Sequence, residues 1–381
     1  TLSAEWQGLS LPRAVWGALP ARYRASFAIE PLRLLLPKCV NPAVPAGAPM
    51  YVVGFFNSPS GLGRGARLFV REQQRAGLKV HAVDVSRLLR VEPVPGLYDG
   101  PLVAGDAFAA HAGPGTVVVH ANPPAFMAAL WAVRRLLPGK RILAYWAWEL
   151  EDIPPVWARC FDHVDEILVP SSFVAEAVGR RTTKPVRVHP HAAPEPTPLR
   201  SSPTRPFTVL HVSTFRSGFF RKNPLGVVEA FRRAFGDASD ACLLLKISDI
   251  DAYPEGWKRL RSAAESANIL FCLGSVSEQA VNDLYARTDV YMSLHRSEGY
   301  GLTIMEAMRH GLPVIATGWS GNMDFMDTAR CRAVPYTLVP VDDPQGIYTI
   351  DGAVWAEPDI AAAAKMLRDM KDTEFSRRAY A

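Results

Sequence analysis

The chain has 381 residues, 49% hydrophobic and 21% charged, a globular composition with room for two domains. Its net charge of +5 suits anionic substrates or an anionic membrane surface, and no clustered basic stripe supports nucleic acid as a partner. Five scattered cysteines stand in no metal-ligand spacing, so we expect unpaired, mostly buried thiols in a reducing compartment. No run of about 18 apolar residues predicts a membrane-spanning helix.

The first 48 residues form a predicted N-terminal extension that several prolines interrupt. Because the prolines prevent a long amphipathic helix, we favour an extension packed on the domain surface. The alternative is a segment that lies on an anionic membrane. It rests on the cations and aromatic residues of this stretch, which are Trp6, Arg13, Trp16, Arg22, Tyr23, Arg24, Phe27, Arg33 and Lys38.

From Met50 the pattern is typical of an α/β sheet: a strand, a glycine-containing loop, a helix and a second strand. The loop contains Gly61, Gly63 and Gly65, and with Ala66 it satisfies the G-x-G-x-x-A pattern of dinucleotide-binding proteins. Against that interpretation, four residues separate the strand from Gly61, whereas a dinucleotide site turns almost at the strand end. Binding of NAD or FAD therefore stays an alternative.

Two further predicted strands end in polar or aromatic side chains. The first ends at His120, and the second, from Lys140, leads into Trp146, Trp148 and Glu149. Open α/β sheets bind ligands at the carboxyl ends of their strands, so His120 is a candidate to face a ligand, or else a core residue. The tryptophans would stack on the sugar rings of an acceptor, with Glu149 bonding hydroxyls, or they would be apolar anchors in the core.

A proline-rich stretch between Pro190 and Pro206 indicates a domain boundary. After it the pattern restarts with a strand whose following loop carries Arg216 and Lys222, six residues apart. We interpret both as ligand-facing cations and Arg221 as a solvated bystander. The predicted domains are an extension at 1–48, a first α/β domain at 49–195, a second at 196–358 and a closing helix at 359–381.

The most informative stretch lies towards the end of the second domain. It is a buried strand, a polar loop with Gly299 and Gly301, a two-turn helix from Leu302 and another buried strand. The amides and dipole of a helix N-terminus bind anions, and the glycines let a phosphate approach. Because Glu298 precedes the loop and Glu306 lies in the helix, a diphosphate between two hydroxylated rings would be held at both ends. A nucleotide sugar has that shape.

The whole phrase SEGYGLTIMEAMRHGLPVIAT (297–317) resembles the donor-site signature of retaining GT-B glycosyltransferases of family 4, the glycosyl transferases group 1. The resemblance covers roughly residues 50–330 and is most specific in 208–326. It implies two Rossmann-like domains that face each other across a cleft. The donor-site residues that it implies are Gly61, Gly63, His120, Arg216, Lys222, Gly274, Val276, Glu298, Gly299, Tyr300, Gly301, Leu302 and Glu306.

By this resemblance, the enzyme moves a hexose from a nucleotide diphosphate to an acceptor hydroxyl with retention of configuration. Arg216, Lys222 and the amides of the glycine loop would stabilise the charge on the departing diphosphate. Glu298 would hold sugar hydroxyls, Glu306 the ribose, and His120 the sugar near the reacting carbon. The loop around Gly274 and Val276 resembles the one that pairs with the nucleobase.

These groups neutralise the diphosphate, so we expect neither a metal nor any other cofactor. Asp249 and Asp251 form an Asp-x-Asp pattern that holds a divalent ion in sugar transferases of a different fold, and here we interpret them as an acidic turn. The expected acceptor is a glycan or a lipid-linked saccharide, in cell-surface polysaccharide or glycolipid synthesis. The expected location is the cytoplasm or, peripherally, the inner face of the plasma membrane. An NAD- or FAD-dependent oxidoreductase and a non-catalytic sugar-nucleotide binding protein are the alternatives.

Overall fold

The computed structural model describes residues 29–89, 94, 96–193, 206–326, 330–348 and 350–379. The chain divides into two compact units. The first spans Thr1–Trp148 and Asp152–Ala192, and the second spans Glu149–Glu151 and Ala193–Ala381. Most of the predicted linker, and the part of the extension with Trp6, Trp16, Tyr23 and Phe27, lie outside the described residues.

The first unit is built on a parallel sheet with the strand order β2-β1-β3-β4-β5-β6. Its inner strands are buried on both faces, because helices cover a parallel sheet on each side. The core includes Val52, Phe69, Val118 and Leu143. The elements are β1 (Met50–Gly54), α1 (Gly61–Arg75), β2 (Val80–Asp84), β3 (Gly115–His120), α2 (Ala125–Ala132), β4 (Lys140–Tyr145), β5 (Glu166–Val169), α3 (Ser172–Gly179) and β6 (Val186–Val188).

Helix α1 begins earlier than the sequence predicts. The pattern predicts a helix from Ala66, whereas the structure places Gly61 and Gly63 in its first turn. The reason is the hydroxyl of Ser60, which accepts a hydrogen bond from the Gly63 amide at 3.2 Å and caps the helix. The predicted glycine loop is therefore a capped helix start.

The second unit has a parallel sheet with the order β12-β11-β10-β7-β8-β9. The strand order reverses at β7, because β8 and β9 lie on one side of it and β10, β11 and β12 on the other. The loops that follow β7 and β10 therefore flank a crevice, which is the usual ligand position in such sheets. The strands are β7 (Phe207–Thr214), β8 (Ala241–Ser248), β9 (Ile269–Leu273), β10 (Val290–Ser293), β11 (Val314–Thr317) and β12 (Cys331–Val334), and β13 (Tyr336–Pro340) with β14 (Val354–Pro358) forms an antiparallel hairpin.

Helices cover both faces of this sheet. They are α4 (Phe219–Lys222), α5 (Pro224–Phe235), α6 (Pro254–Ala263), α7 (Glu278–Ala286), α8 (Leu302–Arg309) and α9 (Ile360–Ala379). The closing helix α9 is part of this unit, because its Ala363 and Leu367 are fully buried in one core with Val227 and Phe231 of α5. The prediction of two Rossmann-like α/β domains is thus confirmed.

All five cysteines are free thiols, as expected, but only Cys160 and Cys331 are buried and the other three are half-buried. Within the described ranges, no helix is both long and apolar enough to cross a membrane.

Candidate functional site

A buried ion cluster occupies the crevice between β7 and β10 in the second unit. Helix α4, one turn long, follows β7 and ends with Arg221 and Lys222, while Glu298 lies in the loop after β10. The Lys222 ammonium lies 2.5 Å from Glu298 Oε1, and the Arg221 guanidinium 3.1 Å from Glu298 Oε2. The sequence places Glu298 and Lys222 at one site, and the structure brings them into direct contact.

Glu298 is ionised because of these two cations. Burial alone would raise its pKa, but the charges of Lys222 and Arg221 lower the pKa to about 2. Its backbone is fixed as well: the Glu298 amide donates to Ser320 Oγ at 2.8 Å, and the Glu298 carbonyl accepts from the Gly321 amide at 2.9 Å. The carboxylate is held in one place and in one charge state.

Arg221 is wrongly predicted as a solvated bystander. Its side chain is only 2% exposed, and it donates to the carbonyls of Ser217 and Ser297 as well as pairing with Glu298. The one-turn helix turns Arg221 inward, where each guanidinium nitrogen meets an acceptor. Adjacency in the sequence gave no sign of which cation faces the interior.

Glu149 joins the same cluster, although it precedes the main segment of the second unit, Ala193–Ala381, by more than 40 residues in the chain. Its carboxylate lies 3.8 Å from Arg221 and accepts a hydrogen bond from the Tyr348 hydroxyl at 3.2 Å. Burial raises the pKa of Glu149, and the charge of Arg221 opposes that rise. The cluster therefore holds two cations, two carboxyl groups and a phenol.

Arg216 lies at the rim and does not contact Glu298. Its side chain is 55% exposed, and its guanidinium pairs with Asp249 at 3.2 Å. Asp249 also accepts a hydrogen bond from the Thr214 hydroxyl at 2.6 Å. The first aspartate of the Asp-x-Asp pattern is thus engaged with residues at the end of β7, and no cluster of three or more metal-ligating side chains occurs in the described part of the chain.

The predicted phosphate loop leads directly into helix α8. Gly301 is the residue before the helix and has φ of +95°, a conformation in which other residues are strained. No side chain caps this helix start, so the first amides and the dipole of α8 are directed at the space in front of the loop. Gly299 and Tyr300 are buried in the same loop, and Leu302 begins the helix.

Glu306 lies one turn into α8, where its carboxylate accepts a hydrogen bond from the Tyr285 hydroxyl at 3.2 Å. Glu298 and Glu306 therefore flank the helix start, as their spacing predicts. The predicted base loop lies after β9: Gly274 has φ of +81°, and its carbonyl accepts a hydrogen bond from the buried Lys246 ammonium at 2.7 Å. Val276 is half-buried nearby.

In the first unit, His120 ends β3 and is fully buried. Its ring stacks on Tyr145 with centroids 4.4 Å apart, and burial lowers its pKa well below the usual value, so the imidazole is neutral. Neither ring nitrogen has a hydrogen-bond partner in the described structure. Nearby, the Tyr145 hydroxyl donates to the carbonyl of His189 at 2.7 Å.

Gly61 and Gly63 belong to the start of α1 in this unit, and close packing explains two of its glycines. A Cβ atom on Gly63 would lie 2.6 Å from the Ser58 carbonyl oxygen, and one on Gly65 would lie 2.6 Å from the His191 ring. These glycines are accounted for by packing within the first unit.

Trp146 and Trp148 are core residues rather than acceptor platforms. Trp146 is fully buried, edge-on to Phe126 and 5.4 Å from Trp157 between ring centroids. Trp148 is almost fully buried, and its indole donates to the Asp152 carbonyl at 2.8 Å. Neither ring offers a face on which a sugar could stack, so the acceptor alternative is wrong for both.

Sequence reasoning missed Arg221, Tyr348 and Ser320. Tyr348 lies in the loop between β13 and β14, in a region without a recognisable pattern. Ser320 had a weak signal, because it lies three residues after the second strand of the signature phrase. Asn322 belongs with it: its amide oxygen pairs with His295 at 3.1 Å, behind Glu298.

Most of the candidate site lies in a part of the chain that matches a known family. Residues 206–349 match the family described as glycosyl transferases group 1. The trehalose synthase of Rubrobacter xylanophilus is 28% identical over 179 residues, which are 45% of this chain and 37% of that protein. The serotype-specific mannosyltransferase WbdA of Escherichia coli is 26% identical over 255 residues, 59% of this chain and 30% of that protein. The chain thus spans about a third of the length of these curated relatives.

Solved structures share the fold over most of the chain. Sucrose-phosphate synthase from Thermosynechococcus elongatus has a TM-score of 0.60 at 18% identity, over 87% of this chain and 92% of that one. Anabaena HepE, solved with UDP and glucose, has a TM-score of 0.58 at 13% identity, over 86% and 91%. Residues 206–349 thus match the glycosyl transferases group 1 family, and the chain has the GT-B fold that these solved structures share.

Proposed function

We propose that this protein transfers a sugar from a nucleotide diphosphate sugar to a saccharide hydroxyl. The observation that carries the proposal is the Lys222, Arg221 and Glu298 cluster beside the start of α8. It places a cation, a fixed carboxylate and a helix N-terminus within one crevice, which are the groups that a diphosphate and a hydroxylated sugar require. The family match covers the same residues.

The main barrier to sugar transfer is the negative charge that develops on the departing diphosphate. Lys222 and the amides of α8 are available to stabilise it in a crevice of low dielectric. Arg216 is exposed and pairs with Asp249 near the surface, so it can turn to a phosphate at little cost. Glu298 would hold sugar hydroxyls and Glu306 the ribose hydroxyls.

We propose retention of configuration and no metal requirement. The resemblance of the signature phrase supports retention, and the availability of Arg216, Lys222 and the helix start for the diphosphate charge supports metal independence. His120 of the first unit stays a candidate for contact with the transferred sugar. Its neutral ring suits hydrogen bonding to a hydroxyl more than proton transfer near neutral pH.

The first experiment is a thermal-shift screen of the whole protein against nucleotide sugars of several bases, since a ligand that binds only the folded state raises Tm. A hit is followed by product analysis with labelled donor and candidate acceptors. Lys222→Met should abolish the shift, while Lys365→Met, at an exposed position of α9, should preserve it. No shift with any nucleotide sugar would overturn the proposal.

The same experiments decide between the alternatives. A shift without transfer to any acceptor would favour a sugar-nucleotide binding protein. A titration with NAD(H) or FAD tests the oxidoreductase, which the structure disfavours because Ser60 caps the α1 amides that would face a pyrophosphate. HepE was solved with UDP and glucose, so uridine diphosphate sugars are the first donors to try.

We further propose a glycan or lipid-linked saccharide acceptor at an anionic membrane surface. Leu34 and Val40 are 79% and 83% exposed, close to Arg33 and Lys38, and basic residues beside apolar ones favour such a surface. Flotation with anionic vesicles should show binding at low salt that high salt removes. A deletion of the N-terminal extension must end at residue 28, because Ile29, Leu32 and Leu36 are buried in the protein. The exposed apolar residues are therefore tested by the double variant Leu34→Ser with Val40→Ser, which should weaken the binding to vesicles.

A further inference from the structure

Two cations share one carboxylate in the crevice. The Lys222 ammonium contacts Glu298 Oε1 and the Arg221 guanidinium contacts Glu298 Oε2. If Lys222 also binds the diphosphate, as the proposed function requires, it must weaken or leave its contact with Glu298. A buried carboxylate without any counter-ion is strongly unfavourable. The second cation, Arg221, would keep Glu298 paired when Lys222 moves away.

The two cations differ in how firmly they are held. The Arg221 side chain is 2% exposed and donates to the Ser217 carbonyl through Nε and Nη2, at 3.1 and 2.9 Å, and to the Ser297 carbonyl through Nη1 at 2.7 Å. These bonds fix it to the backbone on both sides of the crevice. If Arg221 moved away from Glu298, its guanidinium would also lose these hydrogen bonds to the backbone.

Lys222 has no such anchor. Its side chain is 14% exposed, and its ammonium pairs with Glu298 alone in the described part of the chain. A flexible four-carbon stem lets an ammonium change partners, whereas a planar guanidinium with several fixed bonds does not. The lysine is therefore the mobile cation of the pair.

We propose that Arg221 is the permanent counter-ion of Glu298 and Lys222 an exchangeable one, which moves from Glu298 to the diphosphate when the donor binds. The inference rests on the proposed function and makes Arg221 a positioning residue that acts through Glu298. Glu149 fits this arrangement, because it stays beside Arg221 at 3.8 Å and is held by Tyr348. With Lys222 on the ligand, one arginine then faces both carboxyl groups.

A double-mutant cycle on nucleotide binding tests the proposal. The tightest binder among UDP, GDP and ADP is measured by titration calorimetry, with its nucleoside as the control. In Arg221→Met, Lys222 is the last counter-ion of Glu298, so we expect at least tenfold weaker binding of the diphosphate and unchanged binding of the nucleoside. In the double variant Arg221→Met with Glu298→Gln, Lys222 is released and the affinity for the diphosphate should recover.

The rescue separates this role from the others. If Arg221 bound the phosphate itself, or only supported the fold, removing Glu298 would not restore binding, and additive losses would overturn the proposal. The affinity of the Arg221→Lys variant for the diphosphate should lie between that of the wild type and that of Arg221→Met. If the wild-type protein binds none of the nucleoside diphosphates, the proposed function fails first, and this inference fails with it.

Discussion

Two histidines buried behind the ion cluster should make the second unit sensitive to mild acid. Burial lowers the pKa of His211 and of His295 to about 4, from an ordinary value of 6.5. His211 donates from Nδ1 to the Met292 carbonyl at 3.0 Å, and its other nitrogen faces Ser213 at 3.1 Å. The nearby Lys222 disfavours a charged ring in both, whereas Glu298 partly opposes this effect.

The direction in which stability changes with pH follows from proton linkage. Because the pKa is lower in the folded state, the unfolded chain binds more protons between pH 6.5 and 4, so stability falls as the pH falls through this window. One unit of pKa shift corresponds to about 1.4 kcal/mol. Each histidine therefore costs about 2 kcal/mol of unfolding free energy at pH 5 relative to pH 8, and about 3 kcal/mol once the pH is below both pKa values.

The assay is urea denaturation of the whole protein at about pH 8, 6 and 5, with the wild type and His211→Asn compared. The variant keeps a donor for the Met292 carbonyl but does not titrate. Its free energy of unfolding should therefore fall by about 2 kcal/mol less between pH 8 and pH 5 than that of the wild type. The control is Ile315→Val, in the core of the second unit that also contains Met292. This substitution should lower the free energy of unfolding by about 1 kcal/mol equally at every pH. If the free energy of unfolding fell equally with pH in the wild type and in His211→Asn, the reasoning would be refuted.

Three further outcomes are expected. Glu306→Gln should mainly raise the donor KM and Glu298→Gln should mainly lower kcat, since the first holds ribose throughout and the second lies closer to the reacting sugar; steady-state kinetics with the opposite pattern would reverse the two roles. Turnover should survive EDTA, and a large loss restored by Mg²⁺ or Mn²⁺ would contradict a metal-free mechanism. Gly63→Ala should lower the free energy of unfolding by about 1 to 3 kcal/mol, because its Cβ would press on the Ser58 carbonyl. Gly179→Ala, with no atom within 4 Å of the added carbon, should be neutral, and equal effects of the two substitutions would argue against this packing explanation.

The sequence predicts those parts of the fold that depend on continuous apolar runs. As predicted, β3 ends at His120, β4 begins at Lys140 and α8 begins at Leu302, because buried parallel strands and helix starts leave local patterns in the sequence. The hairpin of β13 and β14 was not predicted. Its first strand is largely exposed, so it has no alternation of buried and exposed residues to detect.

The site was predictable only where one segment carries it. Glu298, Gly301 and Glu306 lie within a single βα unit, so their spacing fixes their geometry. The choice between Arg221 and its neighbours depends on which way a one-turn helix faces, and the contact of Tyr348 with Glu149 joins residues 199 positions apart. Neither can be derived from local spacing, because both follow from how distant segments pack.

The placement of Glu149–Glu151 has a practical consequence for building chimaeras of this protein. These three residues pack with the second unit although the chain around them belongs to the first. An exchange of units at the sequence boundary near Ala193 would import a foreign segment at this point and leave Arg221 and Tyr348 without their native carboxylate. A recombinant with a new first unit should therefore keep Glu149–Glu151 from this chain, so that the crossover follows the packing instead of the linear order of residues.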